Sequence, residues 1–366
     1  MTDVQALFQP FECKTLKLRN RFCMAPMTRE QSPGGVPTDD VVAYYRRRAE
    51  QQVGLIITEG TTVNHPVASM SPNIPRFFGE EALAGWKRVA DAVHAAGGAI
   101  IPQLWHVGMS RRKGTEPHPE QESQGPSGMT SPGKVKGKAM SQQDIDDVVA
   151  AFAAGAADAK KLGFDGVELH GAHSYLIDQF FWEGTNQRTD AYGGSMEKRG
   201  RFACEIIRAV REAVGPDFAV CLRFSQWKQQ DFEAKLATTP QELEAFLTPL
   251  SDAGVDIFHA STRRFWLPEF SGSDLNLAGW ARKLTGKPSI TVGSVGLDAE
   301  FIGAFAGMGS KKTGLDQLLE RFNREEFDLV AVGRGLLQDP AWVQKVQQGH
   351  FDEIKDFDAS SRDRLY

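Results

Sequence analysis

Short apolar runs recur along the chain, at residues 21–25, 54–58, 99–103, 166–169, 219–223, 256–260, 289–292 and 329–332. Most are apolar at consecutive positions, the pattern of parallel strands covered on both faces. Between them lie stretches that read as helices, at residues 38–51, 80–96, 141–162, 196–214 and 240–253. Thr38 stands ahead of Asp39 and Asp40 as a helix cap. Ser141 with Asp144 gives a capping-box start, with Asp replacing the usual Glu or Gln. Eight such units in the α/β class predict a closed (β/α)8 TIM barrel, taken as a single domain over residues 1–366. The competing open doubly wound sheet needs a strand–GxGxxG–helix near its start, and the chain has none there.

The residues outside these units are also patterned. Residues 1–20 read as an N-terminal lid, in which 16–20 alternate and form half of a small hairpin closing the barrel floor. Residues 105–140 are rich in Gly, Pro, Ser and Lys. A loop of that length after the third strand is expected to cap the barrel mouth. Residues 224–238 and 261–275 follow strands five and six on the same face, and residues 350–366 form a tail.

Composition narrows the class further. Of 366 residues, 41% are hydrophobic, ample for a packed core. The 42 basic and 47 acidic residues are well mixed, so no basic stripe invites nucleic acid. No apolar run nears the roughly 20 residues of a membrane span, and the first residues lack a signal-peptide pattern. A cytoplasmic protein, monomer or homodimer, is the expectation. Cys13, Cys23, Cys204 and Cys221 show no clustered spacing and read as free thiols, Cys23 and Cys221 within strands.

Barrels place their chemistry at the C-terminal strand ends. Here those ends offer Pro26, Met27 and Thr28; Gly60; Gln103 and Trp105; His170, His173 and Tyr175; Arg223; Gly293 and Ser294; Gly333 and Arg334. Glycines after strands seven and eight suit a phosphate, which Arg334 can grip with its planar fork. Gln103 and Arg223 suit the edge of a flat heterocycle, although Arg223 could instead pair with Glu168 or Glu59. His170, His173 and Tyr175 can bind a carbonyl oxygen and deliver a proton. The two histidines also admit a metal-dependent hydrolase on the same barrel, with Asp178 the nearest further ligand.

Several motifs together resemble the old yellow enzyme family of flavoproteins. They are Arg19-Asn20-Arg21-Phe22, Ala25-Pro26-Met27-Thr28-Arg29, Thr58-Glu59-Gly60 and Gln103-Leu104-Trp105-His106, then His170 through Phe181, Asn186 through Ser195, Val292-Gly293 and Val332-Gly333-Arg334-Gly335. The resemblance implies non-covalent FMN, reduced by NADPH or NADH, that reduces the C=C bond of a small activated alkene. It implies that Ala25, Pro26, Met27 and Thr28 line the flavin. Gly60 and Gln103 would meet its pyrimidine edge, with Arg223 by N1 and the C2 carbonyl. Gly293, Ser294, Gly333 and Arg334 would hold the phosphate. His170 and His173 would bind the substrate oxygen, Tyr175 would protonate the α carbon, and Thr28 and Trp105 would help shape the pocket. No metal is implied, and with no cysteine after Cys221 there is no site for a four-cysteine cluster downstream.

Overall fold

The computed structural model describes residues 4–366, apart from the side chain of Phe305. Residues 1–3 of the expected lid lie outside the described residues. Eight strands form the barrel: β1 (Phe22–Met24), β2 (Leu55–Thr62), β3 (Ala99–Trp105), β4 (Gly166–Gly171), β5 (Ala219–Phe224), β6 (Ile257–Ser261), β7 (Ser289–Val292) and β8 (Leu329–Val332). Each pairs in parallel with the next and β8 pairs with β1, so the barrel closes in chain order.

Alternation decides what fills it. Cys23, Leu55, Ile57, Ala99, Ile101, Ala219, Cys221, Ile257, Ile290, Leu329 and Ala331 form one apolar cluster, together with Phe11, Leu16 and Leu18. Those last three belong to an antiparallel hairpin, Phe11–Cys13 with Leu16–Leu18, which plugs the floor as expected. Leu16 and Leu18 are almost wholly buried, and such burial contributes about 1.5–3 kcal/mol per side chain. The other strand faces pack against the helices in a second, larger core.

Helices Asp39–Glu50, Glu80–Ala95, Gln142–Leu162, Met196–Val214 and Pro240–Ala253 follow the expected segments. Thr38 caps the first through the Val41 amide, and Ser141 and Asp144 close a reciprocal box. Leu277–Thr285, Asp316–Asn323 and Trp342–Gln348 complete the ring. At nine, eight and seven residues they are too short to give a clear helical period in the sequence.

Three expectations need correction. β2 does not stop at Thr58 but runs to Thr62 through a bulge, where Ile57 faces Ile101 but Gly60 faces Gln103. The Thr58 hydroxyl fills the broken ladder by accepting from the Gln103 amide at 3.1 Å. β3 runs on to Trp105, so that residue belongs to the strand and the cap starts after it. The cap is also not simply irregular: it holds two small sheets, Gln124–Gly125 with Lys138–Ala139 and Met129–Ser131 with Lys134–Val135. Arg111 organises it, donating to the carbonyls of Gln121, Thr115, Pro117 and His118. The tail folds back on the first barrel unit. Arg48 donates to the Tyr366 carbonyl, and Arg29 to those of Arg362 and Arg364.

Candidate active site

The inward-facing positions change character towards the C-terminal mouth. The alternation that places Ala99, Ile101, Ala219, Cys221 and Ile257 inside continues to Gln103, Arg223, His259 and Ser261, with Glu168 and His170 on β4. All six are buried. Register brings Glu168 opposite Gln103 and Cys221, and Arg223 opposite both His170 and His259.

Glu168 is the hub. One oxygen accepts from the Gln103 side-chain amide at 2.7 Å, and the other lies 2.7 Å from His259 Nδ1 and accepts the Cys221 thiol at 3.4 Å. Burial alone would raise its carboxyl, but His259, Arg223 and Gln103 outweigh that and hold it below its usual range. His259 itself is kept neutral by burial. Glu168 is therefore occupied and forms no ion pair with Arg223. Glu59 is occupied too: it accepts the amides of Arg29 and Glu30 at 2.8 and 3.1 Å, fixing the turn that follows Thr28. Thr28 stands exposed at the start of that turn. Burial raises the Glu59 carboxyl to about 7.

Above this layer the aromatic groups converge. The His170 ring lies 5.2 Å from that of His173 and 4.9 Å from that of Tyr175. Trp105 stacks with His170 at 5.9 Å and meets Tyr175 edge-on at 4.7 Å. The Ala172 amide donates to His170 Nδ1 at 3.4 Å, so the proton of a neutral ring sits on Nε2. His173 Nε2 lies 2.7 Å from the Ser261 hydroxyl, which accepts from Arg223 at 3.4 Å. Burial and the Arg223 charge push both histidines well below their ordinary value, so both are neutral. Burial raises the Tyr175 phenol, so it is protonated at neutral pH.

His173 and Ser174 both adopt left-handed backbone, φ 62° each. That conformation costs about 1–3 kcal/mol for a residue other than glycine. It is held by the Ser174 amide on Asp178 at 2.7 Å and the His173 amide on Ser225 at 3.1 Å. Asp178 turns away from the histidines and pairs with Lys228 at 2.5 Å, both side chains fully buried. It therefore does not complete a metal site with His170 and His173. Among the described residues no group of three or more His, Cys, Asp or Glu could hold a metal ion.

The phosphate end forms separately. Arg334 donates to the Ser294 hydroxyl and to the Ala299 carbonyl, and also to the Glu300 carbonyl and the Ser310 hydroxyl. Burial lowers its guanidinium to about 10, so it stays charged at neutral pH. Gly293, at φ 137°, has no room for a side chain: a Cβ there would meet the Thr262 carbonyl at 2.6 Å. A Cβ at Gly333 would lie 3.4 Å from Met27 Sδ and 3.8 Å from Ala25 Cβ, so β8 and β1 share this wall. At Gly60 a Cβ would enter the Trp105 ring.

The residues fit FMN. Arg223 Nε is buried and unpartnered, as is His259 Nε2, so polar capacity remains at the heterocycle end. A charged guanidinium and a glycine turn stand at the other end, with apolar Ala25 and Met27 between. Strand parity could have revealed His259 and Ser261 from sequence. No sequence pattern signals Trp227, which stacks on His173 at 4.5 Å, or Gln229, which touches Tyr175.

Comparison with known proteins agrees with this geometry. The profile of the NADH:flavin oxidoreductase / NADH oxidase family matches residues 6–353. The chain is 33% identical over 364 residues to NADH oxidase of Thermoanaerobacter brockii, covering 97% of this chain and 52% of that one. It therefore spans about half the length of that relative. It is 31% identical over 348 residues to 12-oxophytodienoate reductase 2 of Arabidopsis thaliana, covering 88% and 91% of the two chains. Morphinone reductase in complex with tetrahydroNAD superposes with a TM-score of 0.80 at 28% identity, covering 98% of this chain and 94% of that one. No helix among the described residues is long and apolar enough to cross a membrane. A closed barrel with a polar, aromatic mouth and a matching profile over nearly its whole length places this chain in the FMN-dependent NADH:flavin oxidoreductase / NADH oxidase family, the old yellow enzyme family.

Proposed function

We propose that the protein is an ene-reductase: NADH or NADPH is the reductant, and an enone, enal, maleimide or nitroalkene is the acceptor. The observation that carries this is the cluster of two neutral imidazoles and a protonated phenol, with the His173 and Tyr175 rings 5.2 and 4.9 Å from that of His170, beside a buried cation. FMN, when bound, would supply hydride transfer between the nicotinamide and the β carbon. Ala25, Pro26, Met27 and Thr28 would line it, with Gly60, Gln103 and Arg223 at its pyrimidine edge. Gly293, Ser294, Gly333 and Arg334 would hold its phosphate.

The protein groups do the rest. His170 offers Nε2–H to the substrate oxygen. Arg223 can only donate to Ser261, which frees the serine proton for His173 Nε2 and leaves the imidazole proton on Nδ1 as the second donor. Donors already in place stabilise the negative charge that develops on that oxygen. Neutral rings suit the task, since an imidazolium beside Arg223 would be costly. Tyr175 gives its proton to the α carbon, opposite the hydride, for net trans addition. Trp105 walls the pocket.

An absorbance spectrum of purified protein, followed anaerobically, tests this reading. A flavin spectrum bleached by NADH or NADPH and restored by an enone is expected. A colourless protein that takes up no FMN, or bound flavin that an enone and a nitroalkene both leave reduced, would contradict it.

A further inference from the structure

The loop after β5 contains three glutamines, a buried lysine and a tryptophan to which the reaction as described gives no role. Its first part is anchored to the active-site turn. Lys228 reaches Asp178, whose other oxygen holds the Ser174 amide. The Gln229 amide donates to the Ser174 hydroxyl at 3.2 Å. Ser225 accepts from the His173 amide and donates to the Trp227 carbonyl. Gln226 ties the far end, accepting from the amides of Leu236 and Ala237 and donating to the Ala237 carbonyl. The loop is thereby held in register with the residue next to Tyr175.

On that anchor, the Gln229 side-chain amide donates to the Tyr175 hydroxyl oxygen at 3.1 Å. We infer that Gln229 is the positioning residue for the proton donor, turning the Tyr175 O–H into the pocket and holding the oxygen after its proton has left. The inference rests on Tyr175 being the acid.

A phenol oxygen has one proton to give and lone pairs to accept with. An N–H placed on the lone-pair side leaves the O–H directed elsewhere, here past the rings of His170 and Trp105 that border Tyr175. In the transfer, the O–H bond breaks and a bond forms to the α carbon, whose electron pair comes from the substrate as hydride arrives at the β carbon. The O–H bonding pair remains on Tyr175, and a proton from water restores the phenol. Hydrogen bonds to an ionised acceptor are the strong ones, so the Gln229 contact strengthens as the proton departs. That is stabilisation gained in the transition state rather than in binding. The groups around Tyr175 are Gln229 from this loop, on the hydroxyl, His170 from β4 and Trp105 from β3, against the ring, and the charge of Arg223 from β5. Of these, Gln229 is the one that donates a hydrogen bond to it. Gln229 is itself exposed, so replacing it leaves the core intact.

The test uses FMN-loaded enzyme in stopped flow, with Gln229→Leu, Gln229→Glu and Tyr175→Phe side by side. Reoxidation of reduced enzyme by an enone should slow roughly ten- to a hundredfold in Gln229→Leu, the worth of one hydrogen bond to a charged group. The basic limb of that step's pH profile should move upward, because the phenolate has lost its donor. Gln229→Glu, whose carboxylate would accept the phenol proton, should be slower still. Reoxidation by a nitroalkene, whose product leaves without prompt protonation, should hold near wild-type speed. If Tyr175→Phe slows the enone step while Gln229→Leu changes neither rate nor pH profile, the positioning role is refuted and Tyr175 keeps its own. If Tyr175→Phe is itself without effect, the acid assignment fails and the inference with it. Equal slowing of the enone and nitroalkene steps in Gln229→Leu would mean a general disturbance of the site, and would also overturn it.

Discussion

The rings of Tyr175 and His170 meet edge-on, 74° apart, with centroids separated by 4.9 Å. One leaves β4 directly and the other follows the left-handed turn at His173 and Ser174. A proton donor and an oxygen-binding group are thus set side by side by five residues of chain. Gln103 and Arg334, at two edges of the mouth, come from β3 and the end of β8, with β1 and β2 between them.

The turn depends on a buried ion pair. Lys228→Met leaves the Asp178 carboxylate uncompensated at zero exposure, which should cost about 3–5 kcal/mol. Adding Asp178→Leu should restore much of that stability. It should not restore enone reduction, because the Ser174 amide has lost its acceptor. Urea unfolding of both singles and the double checks this. A loss under about 0.5 kcal/mol for Lys228→Met, the level of an ordinary surface change, would show that the pair is not holding the turn.

Arg334→Ala should weaken FMN binding roughly ten- to a hundredfold, the worth of a hydrogen bond to a charged group. The guanidinium carries charge at neutral pH and already lies against Ser294 beside the glycine turn. Fluorescence titration of apoprotein measures it. Unchanged affinity would remove Arg334 from the phosphate site.

Acid should destabilise the apoprotein. Folded His106, His170 and His259 stay neutral where the unfolded chain takes protons below an ordinary value of 6.5. The unfolded state then binds more protons, so stability falls as pH drops through that range. Glu59 works in the opposite sense. Its carboxyl titrates near 7 in the fold against 4.5, so the folded state binds that proton first and gains as pH falls between these values. Each group contributes at most about 1.4 kcal/mol per pH unit; His65 and His173 are lowered as well, while His94 is raised beside Asp165, so the lowered histidines outweigh Glu59 and His94. The melting temperature, without FMN, should drop between pH 6.5 and 5.5. A constant or rising value would contradict the neutral assignment.

Much of this molecule was legible in its sequence, for physical reasons. Runs buried on both faces marked all eight strands, and the caps at Thr38 and Ser141 marked helix starts. The polar residues at strand ends pointed to the mouth because parity and position are local properties. What escaped depended on contacts distant in the chain. Glu168 is taken by Gln103 and His259 rather than by Arg223. Asp178 is claimed by Lys228, fifty residues on. The bulge in β2, which brings Gly60 rather than Glu59 opposite Gln103, leaves no mark in a pattern of buried residues. The small sheets of the cap pair residues too few to show a strand period, and Arg111 ties the stretch before them through carbonyls, which composition cannot reveal.

The account turns on Tyr175 as the proton donor in alkene reduction. Tyr175→Phe removes one hydroxyl and keeps the ring against Trp105 and His170. Anaerobic stopped flow should be run on both half-reactions, with an enone and a nitroalkene as acceptors. Reduction by NADH or NADPH, and reoxidation by the nitroalkene, should stay near normal. Reoxidation by the enone should slow by roughly 10²–10⁴, the usual worth of general-acid catalysis. Enone reoxidation at wild-type speed would contradict the account and leave Tyr175 as only a wall of the pocket.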